Sequence, residues 1–210
     1  MTMPLFAKGN PCRIRPSPRL LPAHSAAAAP KVKLPPLSQG LSGRRLPPNQ
    51  SALPMSATAI SIRPEDPHAL AARSCLRAYF ALLSERIPGI DPTHVPDPDP
   101  EAEVFRPPHG AFLIARAGDT VLGCVSLKTV EPGLGEVKRL WVDPAARGQG
   151  LARRLMARVE DVARALGFAR LVLDTNAALT EAIALYRATG WHDTAPYTGF
   201  PATHWFTKSL

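Results

Sequence analysis

The stretch Val137-Lys-Arg-Leu-Trp-Val-Asp-Pro-Ala-Ala-Arg147-Gly-Gln-Gly-Leu-Ala152 holds the residue types and spacing with the clearest chemistry. An apolar strand ends at Asp143-Pro144, a turn with two glycines follows, and a helix begins at Leu151. A helix N-terminus offers unpaired N–H groups and the positive end of a dipole. Gly148, Gly150 and the small Ala152 let a diphosphate come close to the backbone without a Cβ in the way. Arg147 and Arg153 add charge-assisted contacts. The segment therefore reads as a pyrophosphate cradle, and its alternative is a glycine turn leading into a surface helix. Two other phosphate loops fail here. A Walker loop needs Lys after its last glycine, where Leu151 stands, and a dinucleotide G-x-G-x-x-G needs glycine where Arg153 stands.

The elements that must position this loop are legible around it. Residues 57–63 alternate and read as a strand, and Glu65-Asp66-Pro67 signals a helix start. Leu70, Ala71, Leu76, Tyr79, Phe80 and Leu83 recur at helical spacing, so 67–86 reads as an amphipathic helix stopped by Pro88-Gly89. Residues 87–109 form a long Pro- and acid-rich connection. Its Asp91, Asp97, Asp99, Glu101 and Glu103 either draw a cation toward a nearby cleft or are simply solvated. Strands are expected over 111–117, 121–130 and 137–142, parted by Gly118-Asp119 and Pro132-Gly133 turns. A helix follows over 151–166, with Leu151, Leu155, Val159, Val162 and Leu166 on one face and arginines on the other. A short strand over 171–173, a helix from Thr180 (read as its cap) to Thr189, and strands near Trp191 and over 204–208 complete the chain. This order implies an α/β domain with a mixed sheet.

Length and charge bound the rest. The chain has 210 residues, 24 prolines and a formal net charge of +8. That length allows one domain plus an appendage. All of the excess charge lies in residues 1–54, which hold eight Lys and Arg side chains and no Asp or Glu; residues 55–210 carry 17 basic and 17 acidic side chains. The basic character therefore gives no sign that residues 55–210 bind nucleic acid or a membrane. With 11 of the prolines, 1–54 reads as disordered. Three explanations are weighed: an upstream start with Met55 as the true one, an Arg-rich transit peptide, or a basic arm for nucleic acid. A secretory signal is not expected, because no apolar stretch follows the first charges. Cys12, Cys75 and Cys124 are odd in number and contain no C-x-x-C, which fits a reducing compartment, taken as cytoplasmic, and gives no metal site.

Three segments together carry a resemblance. Arg147-Gly-Gln-Gly-Leu-Ala152 resembles the [Arg/Gln]-x-x-Gly-x-[Gly/Ala] loop of the GNAT superfamily of N-acetyltransferases. Glu136-Val-Lys-Arg-Leu-Trp-Val142 resembles the strand before it. Glu181-Ala-Ile-Ala-Leu-Tyr186-Arg-Ala-Thr-Gly190-Trp191 looks like the family's later helix with its tyrosine. The likeness covers about residues 60–210. It implies a mixed, mostly antiparallel central sheet of six to seven strands flanked by about four helices.

The resemblance also implies roles. Leu140, Trp141 and Val142 present strand backbone to the pantetheine arm of acetyl-CoA. Arg147, Gly148, Gln149, Gly150, Leu151, Ala152 and Arg153 hold its diphosphate. Tyr186 lies near the thioester sulfur as general acid; its plain alternative is a core aromatic beside Ala182 and Ile183. Family members often carry Asn where this chain has Leu179, and Asn176 is the substitute considered. An amine acceptor must lose a proton, for which Glu136 is the first candidate base and Asp174 the second. His192 and His204 are acceptor-side candidates, and Tyr197, Phe200 and Trp205 are candidate walls. The function expected is direct acetyl transfer from acetyl-CoA to a primary amine of a small molecule or peptide, without metal, membrane or nucleic-acid involvement of the domain and with a homodimer admitted. The alternative is an inactive acyl-CoA-binding sensor of the same fold.

Overall fold

A computed structural model describes residues 59–91, 97 and 99–210. The expectation for residues 1–54 therefore lies outside the described residues. The elements run β1 (Ile60–Pro64), α1 (Leu70–Arg86), β2 (Gly110–Ala117), β3 (Thr120–Glu131), β4 (Leu134–Val142), α2 (Leu151–Ala165), β5 (Arg170–Thr175), α3 (Thr180–Ala188), β6 (His192–Asp193) and β7 (His204–Ser209). Short 3₁₀ turns cover Ala102–Phe105 and Pro144–Ala146. The seven strands form one sheet in the order β1-β2-β3-β4-β5-β7-β6. Every pairing is antiparallel except β4 with β5. Among the described residues there are three α-helices, not about four. Among the described residues of the Pro-rich connection the one helical piece is the 3₁₀ turn at 102–105, as expected where proline removes donors and restricts the residue before it.

The sheet is covered on both sides. Leu113, Val125 and Leu127 point into a core with Leu155, Met156 and Val159 of α2. Phe112, Ile114 and Cys124 point the other way, against Ala72, Cys75 and Leu76 of α1. This two-sided cover explains why β2 reads as an unbroken apolar run instead of an alternating one. Cys75 and Cys124 are free thiols in this second core, and burial pushes the Cys124 thiol up. None of the described helices is long and apolar enough to cross a membrane.

Local starts differ from the sequence reading in two places. Asp66 accepts a backbone bond from His68 (2.8 Å), an Asx turn that delays α1 to Leu70. Thr180 does not cap α3. Leu179 occupies the N-cap position without a side-chain bond, and Asn176 makes the preceding turn by accepting from the Ala178 N–H at 2.9 Å.

Strand β4 carries the feature that shapes the site. Cys124 pairs with Trp141 but Ser126 pairs with Lys138, so β4 holds one residue more than β3 across this span. The bulge centres on Arg139, the one non-glycine residue with positive φ (59°) among the described residues. A one-residue insertion exchanges the faces of every side chain beyond it. Val137 accordingly packs toward α2, whereas Trp141 packs toward α1.

Candidate active site

The parallel pairing of β4 with β5 lasts three residues, Leu134 with Arg170, Gly135 with Leu171 and Glu136 with Val172. Beyond Glu136 the strands part. Backbone groups of β4 from Val137 to Val142 that would meet β5 in a continued sheet are left facing a cleft. Two connected cavities fill the parting. One, of about 390 Å³, runs along Leu140, Trp141 and Val142 to Arg147, Gly148 and Gly150. The other, of about 260 Å³, lies between the strands, with Lys138 and Asp174 on its walls. Tyr79, Leu140, Leu179 and Ala182 line both and mark where they meet.

The larger cavity gathers the loop residues. Leu140, Trp141, Val142, Arg147, Gly148, Gly150, Leu151, Ala152 and Arg153 all border it. Gln149 does not; its side-chain amide lies 3.5 Å from the Ala145 carbonyl. Gly148 and Gly150 have φ of 75° and 73°, and a Cβ at either would meet nothing within 4 Å. The space above them is open, and glycine adopts this backbone at no steric cost. The first turn of α2 has neither a side-chain cap nor an acid, so its N–H groups are left for a ligand. Arg147 is tied back through Nε to the Val142 carbonyl (3.2 Å). Open glycines, an uncapped helix start and two arginines fit the diphosphate of acetyl-CoA. On the far wall Glu181 borders the same cavity and is ion-paired with Arg86, joining α3 to the last turn of α1.

The smaller cavity receives Tyr186, Asp174 and Asn176. The Tyr186 ring is buried against Trp191 (centroids 6.2 Å) and Phe206 (5.7 Å), while its hydroxyl makes no hydrogen bond to any described residue. Burial, then the neighbouring Tyr79 and Asp174, push its phenol well above the usual tyrosine range. Tyr79 of α1 is raised in the same way, with burial foremost. From the sequence alone Tyr79 counts only as a helix-face apolar residue.

Asn176 is placed otherwise than expected. It borders the smaller cavity, and its amide is spent: Nδ2 donates to the Pro201 carbonyl at 2.5 Å and Oδ1 accepts from Ala178. It therefore fastens the loop before β7, and Leu179 supplies an apolar contact at the junction of the cavities.

Of the two carboxylates, Asp174 borders the cavity and Glu136 does not. Glu136 is 4% exposed, with Lys138 Nζ at 3.1 Å, Tyr197 hydroxyl at 3.2 Å and Lys128 Nζ at 3.4 Å. Three donors on two oxygens make it an internal anchor. Asp174 accepts from Thr198 at 2.7 Å, and its other oxygen lies 3.6 Å from Lys138. Trp205 sits behind, donating its indole N–H to Thr198 at 2.8 Å. Tyr197 and Trp205 thus belong to the network around the wall, while Phe200 is 73% exposed beside Gly89. His192 is exposed, and His204 contacts Thr203 (3.0 Å); neither borders the cavity.

Of the acids of the connection only Asp99 is buried; Asp91, Asp97, Glu101 and Glu103 stay exposed, and Asp97, Glu101 and Glu103 are ion-paired. Asp97 pairs with Arg73 at 2.6 Å and Arg77 at 3.1 Å, strapping the connection to α1. Buried Asp99 binds Arg139 through both oxygens, Glu101 adds a bond at 3.0 Å, and the guanidinium lies 4.3 Å over the Phe105 ring. Sequence reasoning missed this cluster. One signal was present: Lys138-Arg139 puts two charges side by side in an apolar strand, which a period of two cannot accommodate.

Comparison with known proteins bears on this geometry. A family model described as "Acetyltransferase (GNAT) family" matches residues 76–191. The "IAA acetyltransferase" of Azospirillum brasilense is 43% identical over 98 residues, 46% of this chain and 64% of that protein. The chain spans about half the length of the curated relatives it matches. Among solved structures, an acetyltransferase from Streptococcus agalactiae superposes with a TM-score of 0.60 at 22% identity, over 72% of this chain and 98% of that one. The paia N-acetyltransferase of Thermoplasma acidophilum, solved with coenzyme A, gives 0.57 at 15% identity over 72% and 99%. At such identities these structures speak for the fold. The family match goes further, since it runs from within α1, through both strands that part and the loop at the head of α2, to beyond Tyr186: the chain belongs to the GNAT acetyltransferase family.

Proposed function

We propose that this protein transfers an acetyl group from acetyl-CoA directly to a primary amine of a small molecule or peptide. One observation carries the reading: a cleft leads from the glycine loop at α2 along β4 to a cavity that Tyr186 and Asp174 both line. Acetyl-CoA, when bound, supplies an acetyl thioester. The loop 147–153 and the first turn of α2 hold the diphosphate, and the β4 backbone from Leu140 to Val142 lines the arm's path. A backbone N–H on the open edge of β4 is placed to meet developing negative charge on an oxygen. Asp174 takes the proton that the acceptor ammonium must lose before its nitrogen attacks, directly or through one water. Glu136, the first choice from sequence, serves instead to hold Lys138 and Tyr197. The amine nitrogen forms the new bond to the acetyl carbon, the carbon–sulfur bond breaks, the departing sulfur takes the Tyr186 proton, and the proton that the new amide nitrogen sheds restores the Tyr186 phenol. Burial keeps that phenol in its protonated form at neutral pH.

The test is a thermal-shift and thiol-release assay on the full chain with acetyl-CoA and an amine panel, beside Tyr186→Phe. Expected are stabilisation by acetyl-CoA in both proteins and amine-dependent thiol release, with kcat lower by about 10²–10⁴-fold in the variant. Stabilisation without release from any amine would replace the enzyme by an acyl-CoA-binding module. No stabilisation would remove the diphosphate assignment.

A further inference from the structure

We propose that the acceptor is an amine with one positive charge and an apolar body, and that zwitterionic amino acids and diamines are discriminated against. The inference rests on the acetyl-transfer reading of this cleft and names the acceptor's chemical class.

Two properties of the smaller cavity carry it. The first is the distribution of charge. Four carboxylates (Asp99, Glu101, Glu136 and Asp174) interlock with three cations, Lys128, Lys138 and Arg139. One negative charge is left over. Arg139 is committed to Asp99 and Glu101, and Lys138 lies closer to Glu136 (3.1 Å) than to Asp174 (3.6 Å). Asp174 is thus the least neutralised member of the cluster, and it is on the cavity wall; Glu101 lines the same cavity but is held by Lys128 at 3.3 Å and Arg139 at 3.0 Å. Asp174 suits one ammonium. A carboxylate next to the amine would add a charge to a cluster already negative, and both nearby cations are engaged.

The second property is the opposite wall. α1 and its end offer the cavity Tyr79, Phe80, Leu83 and Ile87, none of them charged, and the loop before β7 adds Pro201 and Ala202. The exposed Phe200 ring continues this apolar rim, close enough to Gly89 that a methyl group there would lie 3.4 Å from Cζ. With its amine at Asp174, an acceptor lays its other end on these side chains. A second ammonium would lose its water there and gain no partner.

Matched pairs of acceptors test this on the full chain. 2-Phenylethylamine and phenylalanine differ by a carboxylate; hexylamine and 1,6-diaminohexane differ by an ammonium. The first member of each pair is expected to have the higher kcat/KM by about ten-fold or more. Leu83→Glu, checked for retained stabilisation by acetyl-CoA, should raise the diamine relative to hexylamine by a similar factor. A ratio near or below one in either pair overturns the proposal, as does an unchanged diamine ratio in the folded variant. Acetylation of a lysine peptide with none of the four amines reacting overturns it too, while leaving the acetyltransferase reading intact. No thiol release with any amine brings down that reading and, with it, this proposal.

Discussion

Tyr186 reaches the cleft with its ring clamped by Trp191 and Phe206, so the hydroxyl is the part free to act. Burial raises its pKa above the ordinary value of 10.0, which sets a sign for pH dependence. If Tyr186 is the acid of the proposed mechanism, its protonated form is the working form, and an upward shift keeps it protonated through pH 10. The kcat profile should therefore show no fall from Tyr186 up to pH 10; a drop near pH 9 that Tyr186→Phe abolishes would contradict this. The two carboxylates separate by a second experiment. Asp174→Asn should lower kcat by about 10²–10⁴-fold with little change in acetyl-CoA stabilisation. Glu136→Gln should act mainly on unfolding, because it loosens Lys128, Lys138 and Tyr197. Arg139 belongs to stability as well. Removing it leaves buried Asp99 without its cation and gives up the hold on a left-handed backbone. Arg139→Ala should lose about 3–5 kcal/mol in urea unfolding.

At the level of elements, β4 is the part on which both halves of the cleft depend. Its bulge turns Trp141 toward α1 while Val137 stays with α2, and its departure from β5 after Glu136 opens the space. The turn into α2 completes it. Because Gly148 and Gly150 sit at positive φ with open space above, alanine there carries strain and places a methyl in the space proposed for the diphosphate. Gly150→Ala should cost about 1–2 kcal/mol of stability and raise the acetyl-CoA KM, leaving kcat at saturating acetyl-CoA close to wild type; steady-state kinetics check both. The sheet and its helices hold this turn in place through a core that α2 shares with β2, β3 and β5.

For the whole molecule, charge divides along the chain. The net charge of +8 belongs to residues 1–54, and residues 55–210 are balanced. Every described element begins at or after Ile60. Deleting residues 1–54 should leave acetyl-CoA stabilisation and turnover unchanged. Any binding of the full chain to a nucleic-acid polyanion should disappear with those residues, along with its dependence on salt. Binding that persists in residues 55–210 would show that the balanced part carries a basic surface of its own.

The sequence by itself determined the loop, the order of most elements and the position of Tyr186, because each is written in local spacing. Glycines and arginines at fixed offsets define the turn, and helical and alternating periods define what flanks it. Simple counting also places the excess of positive charge in residues 1–54. Tertiary structure decided what local spacing cannot express. Asp99 and Arg139 are 40 residues apart yet meet inside the protein, so this one acid of the connection is buried and paired while the others stay at the surface. The bulge reversed the faces of β4, so the periodicity of residues 137–142 could not say which side chains look into the cleft. Nor could the sequence say which of Glu136 and Asp174 borders the cavity. Both end up beside Lys138, but only the splaying of two strands leaves one of them on the cavity wall.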